Sequence, residues 1–137
     1  NSKRAKTLFN RTLFGEERSR MLLSEIKDEL KAEILSGEDQ LDKNVGIAGG
    51  ADLMDDLLSP KSKGSLLLTG LNNAEVVVAA QQAGAEAIVF VRGKRPEEFV
   101  IDIAKKHGIP LLVTRFSLFV ACGRLYMSGL RGLDGSW

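Results

Sequence analysis

The residues of this chain with the clearest chemical potential fall in three short polar turns. They are Gly70, Asn72 and Asn73 in the first, Arg92, Gly93, Lys94 and Arg95 in the second, and Thr114, Arg115 and Ser117 in the third. Four cations, two side-chain amides and two hydroxyls suit the binding of an anion, such as a nucleotide phosphate or a carboxylated metabolite. Each turn also leads into a helix-like segment, whose first N–H groups favour an oxyanion. The same residues have a plainer reading: turns of any α/β domain are polar, and their glycines serve chain reversal. Both readings stay open on the sequence. Catalysis has less support, because no G-x-x-x-x-G-K-[ST], G-x-S-x-G, H-E-x-x-H or C-x-x-C motif occurs. Gly93-Lys94 lacks the upstream glycine and the following hydroxyl residue of a phosphate-binding loop.

The elements around the turns repeat three times. Apolar runs at residues 64–69, 85–91 and 109–114 alternate with helix-like segments at 74–83, 96–107 and 117–128. Short continuous apolar runs between amphipathic helices indicate parallel strands buried on both faces. The predicted fold is a three-layer α/β/α sandwich with a mostly parallel sheet, centred on residues 65–69, 87–91 and 111–114. Parallel topology then opens all three turns on one edge of the sheet.

Asn72 with Glu75 resembles a capping box, and Gly84 ends that helix. Pro96 is expected at the first position of the next helix, with Phe99, Val100, Ile103 and Ala104 as its buried stripe. His107 closes the same helix and is better explained as compensating its dipole than as a base. Cys122, among Leu118, Phe119, Ala121, Leu125 and Tyr126, reads as a small buried hydrophobe.

Upstream, residues 22–31 form a first helix with Ser24 as its expected N-cap, and 32–35 a short strand. Residues 44–50 read as a second strand weakened by Gly46, Gly49 and Gly50, which suggest a bend or close approach by a ligand or another chain. Residues 51–59 make a short helix; its Asp52, Asp55 and Asp56 fit a solvated face better than a metal site. Residues 1–20 carry six cations against Glu16 and Glu17. They read as a basic leader, either an expression or upstream segment before Met21 or an arm gripping an acidic partner. Phe9, Leu13 and Phe14 could order it, as Trp137 could anchor the tail of residues 130–137.

With 137 residues, 44% apolar and 27% charged, the chain fits one soluble domain over residues 21–129. A net charge of +1 gives no reason to expect nucleic acid or membrane as partner, and one cysteine with one histidine argues against an internal disulfide or a protein-only zinc site. No secretory pattern or membrane-length apolar run occurs, so a cytoplasmic protein is expected.

Certain phrases carry a family resemblance. Gly64-Ser-Leu-Leu-Leu-Thr-Gly70, Ala85-Glu-Ala-Ile-Val-Phe90, Ile109-Pro-Leu-Leu-Val-Thr114 and Phe119-Val-Ala-Cys-Gly-Arg-Leu-Tyr126 resemble the DRTGG domain, which is related in fold to the N-terminal domain of HPr kinase/phosphorylase. Leu35-Ser-Gly37, Leu41-Asp-Lys-Asn-Val45 and Asp52-Leu-Met-Asp-Asp-Leu57 look like the family's opening. The chain departs from the pattern with Leu71 and Asn72 after Gly70, Val91-Arg92-Gly93 in place of Thr-Gly-Gly, and Ser117-Leu118 in place of Asp-Thr. It is therefore similar to divergent stand-alone bacterial members, some of which carry a kinase label. That label does not transfer, because the nucleotide-binding catalytic domain is missing from this sequence. In multidomain relatives the module accompanies nucleotide-sensing CBS domains or an acetyl-transferring enzyme. The resemblance implies a non-catalytic regulatory or assembly module without cofactor, and the turn residues make it a sensor for a nucleotide or metabolite. The alternative it leaves is an assembly module, a homodimer or a domain docking to a partner enzyme.

Overall fold

The computed structural model describes residues 20–133. The leader contacts assigned to Phe9, Leu13 and Phe14, and the anchor assigned to Trp137, lie outside the described residues. The elements run β1 (Met21–Leu22), α1 (Leu23–Glu29), β2 (Glu33–Ser36), β3 (Asn44–Val45), β4 (Ile47–Gly50), α2 (Met54–Leu57), β5 (Ser65–Thr69), α3 (Ala74–Gln82), β6 (Ala87–Phe90), α4 (Glu98–His107), β7 (Leu111–Val113) and α5 (Leu118–Met127).

Five strands form one sheet in the order β2-β7-β6-β5-β4. β4 through β7 are parallel, and β2 runs antiparallel along the outside of β7. The apolar runs are buried from both sides because alternate residues face different helices. Leu66, Leu68, Ala87, Val89 and Leu112 pack with Ile26 of α1 and Ala121 and Leu125 of α5. Leu67, Ile88, Phe90 and Leu111 pack with Val76, Val77 and Ala80 of α3 and with Val100, Ile101 and Ala104 of α4. The three-layer α/β/α sandwich expected from the repeats is the fold observed.

Local departures have local causes. Residues 44–50 split at Gly46: β3 pairs antiparallel with β1 in a separate ribbon, and β4 joins the main sheet. The glycines of β4 answer to the chain's own packing. A Cβ on Gly49 would stand 2.7 Å from the Leu133 side chain, and one on Gly50 2.7 Å from Cys122 Sγ. The open edge of β4 is covered as well. The Ala48 N–H donates to the Arg131 carbonyl at 2.8 Å, Arg131 bridges Ile47 in parallel, and neighbouring Leu130 is buried.

Ser24 is not the N-cap of α1. The cap position is Leu22, two residues before it, with the helix starting at Leu23, and the Glu25 carboxylate accepts the Leu22 N–H at 2.8 Å. α4 starts at Glu98 rather than Pro96, and its buried stripe is Val100, Ile101 and Ala104; Ile103 is only half-buried, and Phe99 is 55% exposed.

Cys122 is half-buried, and desolvation pushes its thiol above the ordinary thiol value. The expected result is slow alkylation near pH 8.5, where an exposed thiol is already about half thiolate, with the rate rising only at higher pH. A reactivity profile over pH checks this, with the urea-unfolded chain as the ordinary-thiol reference.

Candidate functional site

The parallel strands β5, β6 and β7 deliver their following turns to one edge, as the repeats require. Strand β2, being antiparallel, begins where β7 ends, with Glu33 opposite Val113. That pairing brings the α1–β2 connection to the same edge. The result is a cleft of about 630 Å³. Its walls are Arg92, Gly93 and Arg95 from the second turn, Val113, Thr114 and Arg115 from the end of β7, and Lys31 and Glu33 from the α1–β2 connection.

Backbone hydrogen bonds fix the two turns against each other. The Arg92 N–H donates to the Phe116 carbonyl and the Gly93 N–H to the Thr114 carbonyl, both at 2.8 Å. Arg92 and Gly93 are successive left-handed residues, with φ of 58° and 66°. Glycine adopts this conformation freely, whereas an arginine in it is held there by its surroundings. Thr114 is buried; its hydroxyl donates to the Leu30 carbonyl at 2.6 Å and accepts the Phe116 N–H at 3.3 Å. Thr114→Val keeps the shape but removes both bonds, and is expected to cost about 1–3 kcal/mol. A urea melt of the variant, with unchanged slope and lower midpoint, checks it.

Two of the cleft's cations already have carboxylate partners. Arg95 Nη1 lies 2.8 Å from Glu33 Oε2, and the hydrogen bond to that carboxylate raises the arginine's pKa further. Arg92 Nη1 lies 3.3 Å from Asp52 Oδ2, while Asp52 Oδ1 accepts the Gly70 N–H at 2.7 Å. The Arg92 guanidinium lies so close over Gly70 that a Cβ there would collide with it. Both pairs are substantially exposed, so each contributes little to stability and can yield to a competing anion. Lys31 and Arg115 make no ion pair among the described residues.

The turn residues separate into those that line the cleft and those that build its frame. Arg92, Gly93, Arg95, Thr114 and Arg115 line it. Gly70 gives room to Arg92. Asn72, expected as the cap of α3, instead directs its amide toward the Lys94 and Arg95 carbonyls at 3.4 Å each. The cap is Asn73, whose Oδ1 accepts the Val76 N–H at 3.0 Å. Ser117 caps α5 by accepting the Val120 N–H at 3.2 Å. Lys94 is exposed outside the cleft wall, and its N–H and that of Arg95 are bonded within the turn. Side-chain cations, rather than helix N-termini, line the cleft. Lys31, Glu33 and Asp52 escaped sequence reasoning, since only the antiparallel β2 and the path of the chain after β4 bring them here.

Among the described residues no helix is long and apolar enough to cross a membrane, and no group of three or more His, Cys, Asp or Glu is arranged to hold a metal. The family profile of the DRTGG domain matches residues 25–126. No curated protein matches the chain in sequence. Among solved structures the chain is similar to the CBS and DRTGG domains of the regulatory region of Clostridium perfringens pyrophosphatase, complexed with its activator diadenosine tetraphosphate. The likeness has a TM-score of 0.65 at 23% identity, and covers 80% of this chain and 47% of that one. It is a likeness of fold.

Proposed function

The chain belongs to the DRTGG domain family, and from that premise we propose that it is a non-catalytic regulatory domain binding a small anionic ligand, a nucleotide or metabolite, in the cationic cleft. The carrying observation is the convergence of Lys31, Arg92, Arg95 and Arg115 on one cleft from three separate segments of chain. The Clostridium perfringens neighbour lends support at the level of class, since it is a regulatory region that takes a nucleotide activator. In this reading the module spans residues 21–129, works in the cytoplasm, and answers to a partner enzyme rather than to nucleic acid or membrane. Calorimetry of the 137-residue chain against nucleotides, sugar phosphates and organic acids tests it. At least one anion is expected to bind well below millimolar, beyond roughly −4 kcal/mol. Silence across the whole panel would overturn the reading.

A second reading, self-association, is favoured by α5. Phe119 and Met127 are 87% and 79% exposed, and Gly123 stands midway between them with open space above it. Residues four apart share a helix face, so this one face carries two large knobs and a gap. A second copy related by a two-fold axis would match knob to gap in both directions. An apolar groove of about 810 Å³ runs beside that face, between α5 and β4. Light scattering is expected to give twice the 14.9 kDa monomer mass for the parent, and the monomer mass for Phe119→Glu. A monomeric parent would remove this reading.

A further inference from the structure

Resting on the anion-site reading of the cleft, we infer that its ligand is recognised through a chain of two or more linked phosphates, with no part of the site reading a base. The cleft wall contains no aromatic side chain, and its one apolar residue is the half-buried Val113. A nucleobase is ordinarily held by stacking on an aromatic plane and by hydrogen bonds to its edge. The uncharged groups of the wall that could read such an edge are already engaged: the Thr114 hydroxyl is bonded to the Leu30 carbonyl and the Gly93 N–H to the Thr114 carbonyl.

What the cleft offers in quantity is positive charge distributed in space. Four cations meet two carboxylates, Glu33 in the wall and Asp52 on Arg92, across about 630 Å³. A single phosphate carries at most about two charges near neutral pH and touches only one part of such a wall. A linear oligophosphate carries more charge and can reach Lys31, Arg115 and the second-turn arginines together. Arginine is well matched to it, because a guanidinium can meet phosphate oxygens with two parallel hydrogen bonds. Arg92 and Arg95 would exchange exposed carboxylates for phosphate oxygens, a replacement that loses little. An inorganic oligophosphate and the phosphate chain of a nucleotide share this chemistry, with the nucleoside of the latter left outside the cleft.

Calorimetry with inorganic tripolyphosphate, pyrophosphate, orthophosphate, ATP, adenosine and citrate separates the cases. Tripolyphosphate and ATP are expected to bind within about tenfold of each other and at least about tenfold more tightly than orthophosphate, weakening as salt is raised, with adenosine silent. Arg115→Ala and, separately, Lys31→Ala should each weaken tripolyphosphate by roughly tenfold while leaving the thermal midpoint in place. ATP binding without tripolyphosphate binding would overturn the inference and leave the anion site standing, because the nucleoside would then be read. Citrate binding as tightly as tripolyphosphate would also overturn it. If none of the anions bound, the anion-site reading itself would fall.

Discussion

Val89→Asn is expected to abolish the cooperative thermal transition or lower its midpoint by well over 10 °C, at about 2–8 °C for each kcal/mol lost. Val89 lies on the central strand β6, in register with Leu68 of β5 and Leu112 of β7, and is fully buried beneath α1 and α5. An asparagine amide there meets only apolar side chains, and an unpartnered buried amide costs roughly 2–7 kcal/mol. Folded domains of this size hold about 5–15 kcal/mol in total. Leu112→Asn, equally buried on the neighbouring strand, should behave alike. An exposed change such as Phe119→Glu should leave the monomer's melting close to the parent's. If Val89→Asn melted like the parent, the sheet assignment would be wrong.

The second large effect is on binding. Joint replacement of Arg92 and Arg115 by alanine is expected to weaken the anionic ligand by about 2–5 kcal/mol, roughly 30-fold to several thousandfold. The two residues should contribute unequally. Arg115 brings a cation with no ion pair among the described residues, whereas Arg92 must first release Asp52. A loss of affinity caused by unfolding can be told apart with Arg92→Gly. At φ 58° a glycine relieves a backbone cost of roughly 1–2 kcal/mol, while the exposed Asp52 pair it removes contributes about 0–1 kcal/mol. The Arg92→Gly protein should therefore be at least as stable as the parent and still bind less tightly. Unchanged affinity in the double variant would move the site away from this cleft.

The sheet was readable in the sequence because β5, β6 and β7 are continuous apolar runs, and helices must then cover both faces. The gathering of the three turns follows from parallel topology alone. The functional half of the edge was harder to see. Lys31 looks like the outer face of the first helix, yet it lies past the helix end with φ 49°. It reaches the cleft only because β2 pairs with β7 rather than with β4, a long-range choice with no local signature. The adjacent Asn72 and Asn73 are chemically interchangeable caps; Asn73 takes the role while Asn72 turns to the Lys94 and Arg95 carbonyls, partners distant in sequence. Residues 99, 100, 103 and 104 fit a helical stripe as well as 100, 101 and 104 do, and only the packing of α4 on the sheet buries Ile101 and leaves Phe99 exposed. The glycines of β4 did signal close approach, but the approaching atoms belong to Cys122, Leu118 and Leu133 of the same chain.

The central claim, an anion held by the side chains of this cleft, is tested most directly by NMR of the arginine Nε–H groups during titration with tripolyphosphate. Arg92, Arg95 and Arg115 line the cleft, whereas Arg124 and Arg131 lie by α5 and serve as internal controls. The predicted result is saturable movement of the Arg92, Arg95 and Arg115 signals, with Arg124 and Arg131 stationary. Equal movement of all five, or movement confined to Arg124 and Arg131, would contradict it.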